Sequence, residues 1–242
     1  MLARALPEIV SAAASLFYPA TCVVCSGNIG GTEYLCADCR RRAPRIAPPF
    51  CAKCSEPFPG AITQIFSCAN CEHRTLHFDC AVAAYRSRGL VRKVLHQFKY
   101  GKQRHLRYPI ASWLRESLSD PRLRGRHFDL IVPVPLHPAR ERERGFNQAG
   151  LIGELIAAST AVPLRPILER IRYTTTQTAY DRAERMENLH GAFRLRKNRD
   201  VRGLRVLLID DVLTTGSTLS ECARVLRAAG AVSVHAATAA RA

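Results

Sequence analysis

The stretch VLLIDDVLTTGSTLSEC, residues 206–222, decides how this chain is read. Val206–Asp210 is a nearly unbroken apolar run, the composition of a central strand covered on both faces of a parallel sheet. Two adjacent carboxylates, Asp210 and Asp211, follow at the C-terminal edge of that run, where open α/β sheets bind their ligands. Thr214, Thr215, Gly216, Ser217 and Thr218 then make a small-residue loop leading into a helix predicted over residues 217–229. Gly230 is placed to cap that helix. Hydroxyls and backbone N–H groups at a helix N-terminus cradle phosphate, and Gly216 permits close backbone approach. The two carboxylates can accept hydrogen bonds from ribose hydroxyls, directly or with Mg²⁺. The loop is not a GxxxxGK[ST] loop, since no Lys stands in the nest, and it lacks GxGxxG.

Further strands and helices alternate on either side. Ala81–Tyr85 reads as a short strand, and Val91, Val94, Leu95 and Phe98 recur at helical spacing over 91–100, with Arg92, Lys93 and Lys99 expected outside the apolar face. Asp129–Pro135 reads as a buried strand, Gln148–Ser159 as a helix and Val232–Ala236 as the last strand. Such alternation predicts the α/β class, a parallel sheet wound with right-handed crossovers.

Upstream of residue 80 the texture changes. Eight of the ten cysteines form four CxxC pairs: Cys22/Cys25, Cys36/Cys39, Cys51/Cys54 and Cys68/Cys71. Two residues between thiols aim both at one ion, and two such knuckles complete a tetrahedral thiolate shell suited to zinc. A disulfide framework would need an oxidising compartment, and no export signal is evident. Residues 5–17 faintly resemble a signal peptide, but Pro7 and Glu8 interrupt the apolar run, and an amphipathic starter helix is the better reading. Sequential pairing would join Cys22, Cys25, Cys36 and Cys39 on one ion and Cys51, Cys54, Cys68 and Cys71 on another. Interleaved pairing would join the first and third pairs; the short gaps favour the sequential arrangement. Four thiolates leave no open position, so both sites are read as structural. The expected organisation is therefore an N-terminal helix and double zinc ribbon over 1–79, followed by the sheet domain over 80–242. Cys222, on a stripe with Leu219 and Leu226, is expected in the core.

The 36 Lys and Arg against 20 Asp and Glu give a formal charge of +16. Residues 1–79 carry 7 basic and 6 acidic groups, and residues 80–242 carry 29 and 14. The excess thus belongs to the second part, a balance that suits polyanionic or phosphate-bearing partners or, more plainly, an Arg-rich solvated surface. Residues 85–108 hold eight basic groups and no acidic one, interleaved with Tyr85, Phe98, Tyr100 and Tyr108. Arg92, Lys93, Lys99, Lys102 and Arg104 are the candidate contacts for single-stranded nucleic acid, where aromatics stack bases and cations neutralise phosphates. No stretch has the roughly 18 uninterrupted apolar residues of a membrane-spanning helix, so a cytoplasmic protein without membrane insertion is expected.

The 206–222 segment resembles the ribose-phosphate (PRPP) motif of type I phosphoribosyltransferases. The resemblance extends to the ComF family of competence-associated, phosphoribosyltransferase-like proteins. It is carried in order by the CxxC knuckles, LHQFKYGKQRHL (95–106), DLIVPVPLHPARERERGFNQA (129–149), TTTQTAYDRAERMENLHGAF (174–193) and the PRPP motif. It implies a type I phosphoribosyltransferase fold behind a zinc-bearing domain, linked to uptake of single-stranded DNA, with a DNA-uptake helicase or channel as a possible partner. PRPP or a related ribose phosphate, with Mg²⁺, would bind at Asp210, Asp211, Thr214, Thr215, Gly216, Ser217 and Thr218, the aspartates also serving catalysis. Arg142 and Arg144, in an expected loop with Arg140, would face pyrophosphate. Residues 174–190 would form a hood, with Arg182, Arg185 and Asn188 as contacts. Both aspartates are expected at a solvent-facing strand edge, so that replacing them leaves the fold intact.

Overall fold

A computed structural model describes residues 20–30, 33–61, 66–173 and 189–242. The expected N-terminal helix of residues 5–17 and the hood candidates Arg182, Arg185 and Asn188 lie outside the described residues.

The chain forms two compact units, residues 1–43 and 44–242. The first is built on a turn at Cys22–Gly27, closed by Cys22 N–H to the Gly27 carbonyl (2.8 Å) and Ser26 N–H to the Cys22 carbonyl (2.8 Å). A short helix α1 (Ala37–Arg41) follows, its N-terminus capped by the Cys36 sulfur, which accepts from Cys39 N–H.

The second unit begins with another cysteine turn and the one-turn helix α2 (Ala69–Glu72). Then come strand β1 (Ala81–Arg86), helices α3 (Gly89–Tyr100) and α4 (Arg107–Leu118), strand β2 (Leu130–Pro133), and helices α5 (Pro138–Arg144) and α6 (Gln148–Thr160). Strands β3 (Leu168–Arg170), β4 (Phe193–Leu195) and β5 (Arg205–Leu213), helix α7 (Ser217–Ala228) and strand β6 (Ser233–Arg241) complete it. The main sheet is wholly parallel, in the order β1-β6-β5-β2, and β3 pairs antiparallel with β4. Helices α4 and α6 pack together and cover the sheet, and α7 lies against β6 and β4. This is the α/β fold expected from the 206–222 segment: Val206–Ile209 are all buried, as a strand covered on both faces requires.

Both sheet edges are covered. On β1, Ile46 N–H donates to the Ala84 carbonyl and Arg86 N–H to the Pro44 carbonyl, both 2.8 Å. On β2, Ile131 N–H donates to the Pro163 carbonyl (2.9 Å) and Arg165 N–H to the Ile131 carbonyl (3.0 Å).

Several expectations change here. The packing groups the chain at Ala43/Pro44, where the sequence reading drew its boundary at 79/80, because Cys51, Cys54, Leu76 and Phe78 share one core with Leu208, Leu213, Leu219 and Cys222. The Arg140–Arg144 segment is helix, with Pro138 at its first position, His137 Nδ1 accepting from Ala139 N–H, and Gly145 closing it at φ +80°. Tyr85 and Phe98 are fully buried, so of the four interleaved aromatics only Tyr100 and Tyr108 are exposed. Helix α4, unread in the sequence, sends Trp113 against Tyr85 (centroids 5.6 Å) and Ser117 Oγ to the Thr238 carbonyl (2.8 Å).

Candidate functional site

β2 pairs with β5 only as far as Pro133 opposite Ile209, so Asp210 and Asp211 reach past its end. β5 itself runs on to Leu213 beside β6, which fixes the backbone under both carboxylates. Asp210 is half-buried and its Oδ1 accepts from Asp211 N–H at 2.9 Å. Asp211 is buried, at 4% exposure, and its Oδ2 stands 3.0 Å from the Lys99 ammonium. The expectation of two solvent-facing carboxylates therefore holds for neither fully, and fails for Asp211. Lys99 was expected on the outer face of α3. It lies four residues after Leu95 and eight after Val91, on the flank of the buried stripe, and turns inward to Asp211.

Burial and the neighbouring Asp211 carboxylate push the Asp210 carboxyl up to about 7, against the pull of Lys99. Burial drags the Lys99 ammonium down, but the two carboxylates outweigh it and leave its pKa raised. The pair thus holds one firm cation and one carboxyl poised near neutrality, an arrangement that a divalent cation or ribose hydroxyls could complete.

Beyond Leu213 the chain turns through Thr214, Thr215 and Gly216 into α7. Gly216 has φ +80°, a conformation that favours glycine, and its Cα faces the Phe78 ring, which a Cβ would touch at an ordinary 3.5 Å. Thr215 Oγ1 and Ser217 Oγ are 2.8 Å apart, and Ser217 N–H reaches Thr215 Oγ1 at 3.4 Å. Thr214 is exposed and Thr218 half-buried at the loop mouth. The N-cap residue Gly216 has no side chain to cap α7, so apart from the long Ser217 N–H contact to Thr215 Oγ1 the helix N-terminus opens on the loop.

Residues from the second cysteine turn support this loop from beneath. Arg74 Nη1 donates to the Thr215 carbonyl (3.2 Å), and Arg74 Nη2 donates to Ser217 Oγ (2.8 Å). Asn70 Nδ2 donates to the same Thr215 carbonyl (3.2 Å), while Asn70 Oδ1 accepts from Arg74 Nη1 (2.6 Å). His77 N–H donates to Ser220 Oγ at 3.1 Å. Nothing in the sequence signals Arg74 or Asn70, because 141 and 145 residues separate them from Thr215.

The other candidates scatter. Arg144, half-buried, donates to Gln148 Oε1 (2.8 Å), packs on the Tyr100 ring (5.3 Å) and is close enough to depress Lys99. Arg142 is exposed on α5. Arg92, Lys93 and Lys102 are exposed; Arg104 lies over Phe146 (5.4 Å) at the rim of a cavity of about 460 Å³ bounded by Pro133, Gly145, Asn147 and Arg170. A larger cavity of about 870 Å³ lies at the amino-terminal ends of β2 and β5, near His127 and Asp129, away from the carboxylate pair.

The cysteines assemble as two groups, Cys22/Cys25/Cys36/Cys39 and Cys51/Cys54/Cys68/Cys71, each with its sulfurs within 4.8 Å of one another. Pairing is therefore sequential. All are free thiols, and the Cys25–Cys36 and Cys54–Cys68 sulfurs stand 3.7 and 3.6 Å apart. A thiolate tetrahedron with 2.3 Å zinc–sulfur bonds has edges of about 3.8 Å, so both groups fit zinc. Cys222 is fully buried, as expected. No helix among the described residues is long and apolar enough to cross a membrane.

The fold and these sites define a phosphoribosyltransferase-type domain joined to a double zinc ribbon: the double zinc ribbon family matches residues 13–75 and the phosphoribosyl transferase domain family matches 149–242. The chain is 30% identical over 222 residues to Competence protein F of Haemophilus influenzae, across 88% of this chain and 93% of that one. It is also 30% identical over 230 residues to DNA utilization protein YhgH of Escherichia coli K12, across 91% and 96% of the two chains. Competence protein ComFC of Bacillus subtilis is 30% identical over 201 residues, across 80% and 78%. The chain belongs to the competence protein F family.

Proposed function

We propose that this chain binds PRPP at the carboxylate pair and the 214–218 loop, and acts on or beside single-stranded DNA during its uptake in the cytoplasm. The observation that carries the first half is the placement of Asp210 and Asp211 directly ahead of a glycine turn into an uncapped helix. The 5′-phosphate takes the α7 N-terminus with Thr214, Thr215 and Thr218, and the ribose hydroxyls take Asp210 and Asp211. Mg²⁺, when bound with PRPP, would neutralise the pyrophosphate as it leaves C1 of the ribose. Arg142 and Arg144, on the helix after β2, supply planar donors to the same leaving group, with Arg182, Arg185 and Asn188 proposed to close over it. An acceptor nucleophile would form the new bond to C1 as the C1–O bond to pyrophosphate breaks, so positioning and charge stabilisation carry the transfer without a covalent intermediate on the chain.

The second half rests on the names of the relatives, which speak of competence and DNA utilization, and on the basic excess after residue 80. A helicase or channel of the uptake machinery is the protein partner this reading implies.

Calorimetric titration of PRPP with Mg²⁺ tests the site. Binding should be lost in Asp210→Asn, and unchanged affinity there would refute the assignment. The sign of the pH effect is also fixed. With Asp210 near 7, a cation can bind only as the carboxyl gives up its proton, so affinity should rise about tenfold from pH 6 to pH 8.

A further inference from the structure

The ribose-phosphate loop is not held by the sheet domain's own residues alone. Its Thr215 carbonyl receives two donors, from Asn70 and Arg74, and its Ser217 hydroxyl a third, again from Arg74. Asn70 stands between Cys68 and Cys71, inside the knuckle itself, and Arg74 lies three residues after Cys71. Around them, Cys51, Cys54 and Cys71 share the apolar core with Leu213 and Leu219, which flank the loop on both sides. The Phe78 ring lies under the Gly216 turn, within van der Waals reach of it. The backbone of residues 68–78 therefore forms the floor of the loop, and the cysteine group fixes that backbone.

We propose that Arg74 and Asn70 are positioning residues that make the phosphate-receiving shape of the 214–217 loop depend on metal in the second cysteine cluster. Arg74 also serves as the cation of the nest. No Lys stands in the loop, and Arg74, half-buried, lies against Ser217 at the α7 N-terminus, where a phosphate gains from a fixed positive charge. The planar fork bridges a carbonyl and a hydroxyl simultaneously, which an ammonium cannot do with the same geometry. Metal at the second cluster orders Asn70, Asn70 orients Arg74, and Arg74 sets the Thr215 carbonyl and the Ser217 hydroxyl that frame the α7 N-terminus.

This inference rests on the proposed ribose-phosphate reading, and the test separates the two. Full-length wild type, Arg74→Ala, Arg74→Lys and Asn70→Ala are titrated with PRPP plus Mg²⁺ and with ribose 5-phosphate. Metal content, thermal unfolding and amide hydrogen exchange of residues 214–220 are measured on the same samples. Arg74→Ala should weaken both ligands about tenfold or more, the loss expected of charge-assisted hydrogen bonds. Arg74→Lys should recover part of that, and Asn70→Ala should lose about threefold. All variants should keep about two zinc ions, and exchange should quicken at 214–220 only. A wild type that binds neither ligand overturns the phosphate reading and, with it, the functional part of this inference. Wild-type binding with equal affinity in Arg74→Ala, or unchanged loop exchange in Arg74→Ala, overturns the tether alone. A variant that loses zinc or unfolds shows Arg74 to be a mere framework residue, which also overturns it.

Discussion

The two cysteine clusters begin alike and end in different surroundings. Each opens on the same turn: Ser26 N–H to Cys22 and Ser55 N–H to Cys51, then Cys22 N–H to Gly27 and Cys51 N–H to Glu56, with Ser26 and Ser55 both near φ +60°. The first turn sits in a unit of 43 residues with Cys25 exposed. The second is built into the sheet unit. Ser55 Oγ donates to the Ala81 carbonyl and accepts from Ala83 N–H, while Lys53 accepts from Ala81 N–H. Arg122, held by Asp120, donates to the Cys51 and Ala52 carbonyls and to Ser55. One motif thus serves twice, once as the organiser of a small unit and once as a wall of a large one.

The sharpest way to break this contrast is to disable each cluster in turn. Cys51→Ser/Cys54→Ser should cost the sheet unit its cooperative unfolding transition, since a structural zinc is worth about 10 kcal/mol or more against a domain stability of about 5–15 kcal/mol. Cys22→Ser/Cys25→Ser should leave that transition within about 3 °C of wild type. Equal losses from both pairs in thermal scans would erase the distinction.

A smaller effect tests whether the second unit also leans on its polar interior. Asp211→Asn removes the carboxylate that touches the Lys99 ammonium and leaves only Asp210 to balance it. Breaking a buried pair costs about 3–5 kcal/mol when no other partner remains, so about 3 kcal/mol is expected here. In a unit of this size that lowers the midpoint by about 10 °C. Adding Lys99→Met to Asp211→Asn should restore most of it. If Asp211→Asn alone melts like wild type, the pair is not a structural element.

The smallest expected effect concerns charge. Residues 1–43 carry 4 basic and 3 acidic groups, and zinc on their four thiolates adds roughly −2, so the first unit is close to neutral or slightly negative, at about −1. A chain beginning at Pro44 should therefore bind single-stranded DNA within about threefold of the full chain, with affinity falling as roughly the −0.7 power of salt per phosphate neutralised. Arg92→Ala/Lys93→Ala should flatten that slope for every sequence alike. Lys99 no longer belongs in that set, since it is paired inside. Loss of DNA binding in the folded 44–242 chain would assign the contact to the first unit instead.

The sheet and the strand–loop–helix of 206–222 were legible because Val206–Ile209, the two aspartates and Gly216 obey local rules of burial, strand edge and turn. The cysteine pairing was legible from spacing. What escaped depends on contacts remote in sequence. Asn70 and Arg74 meet Thr215 across 145 and 141 residues. Helix α4 was hidden by a mixed face where Ser117 is buried through a hydrogen bond to Thr238. Lys99 carried a usable signal, its register with Val91 and Leu95, which the charge of the surrounding run obscured. The Arg140–Arg144 helix shows the same lesson in reverse, since alternating charges concealed a Pro start and Gly stop.

The short segment Pro44–Ile46, clasped along β1, has a consequence for how this chain tolerates being cut. Together with 163–165 on β2 it leaves neither outer strand with an open ladder for a second chain to join. Proteolysis just before Pro44 removes the first unit and keeps that guard in place. Proteolysis a few residues later, beyond Ile46, bares the backbone of Ala84 and Arg86 along an apolar strand. The released fragment would then pair edge to edge with its own copies, and would be lost to aggregation before any loss of ligand binding could be measured.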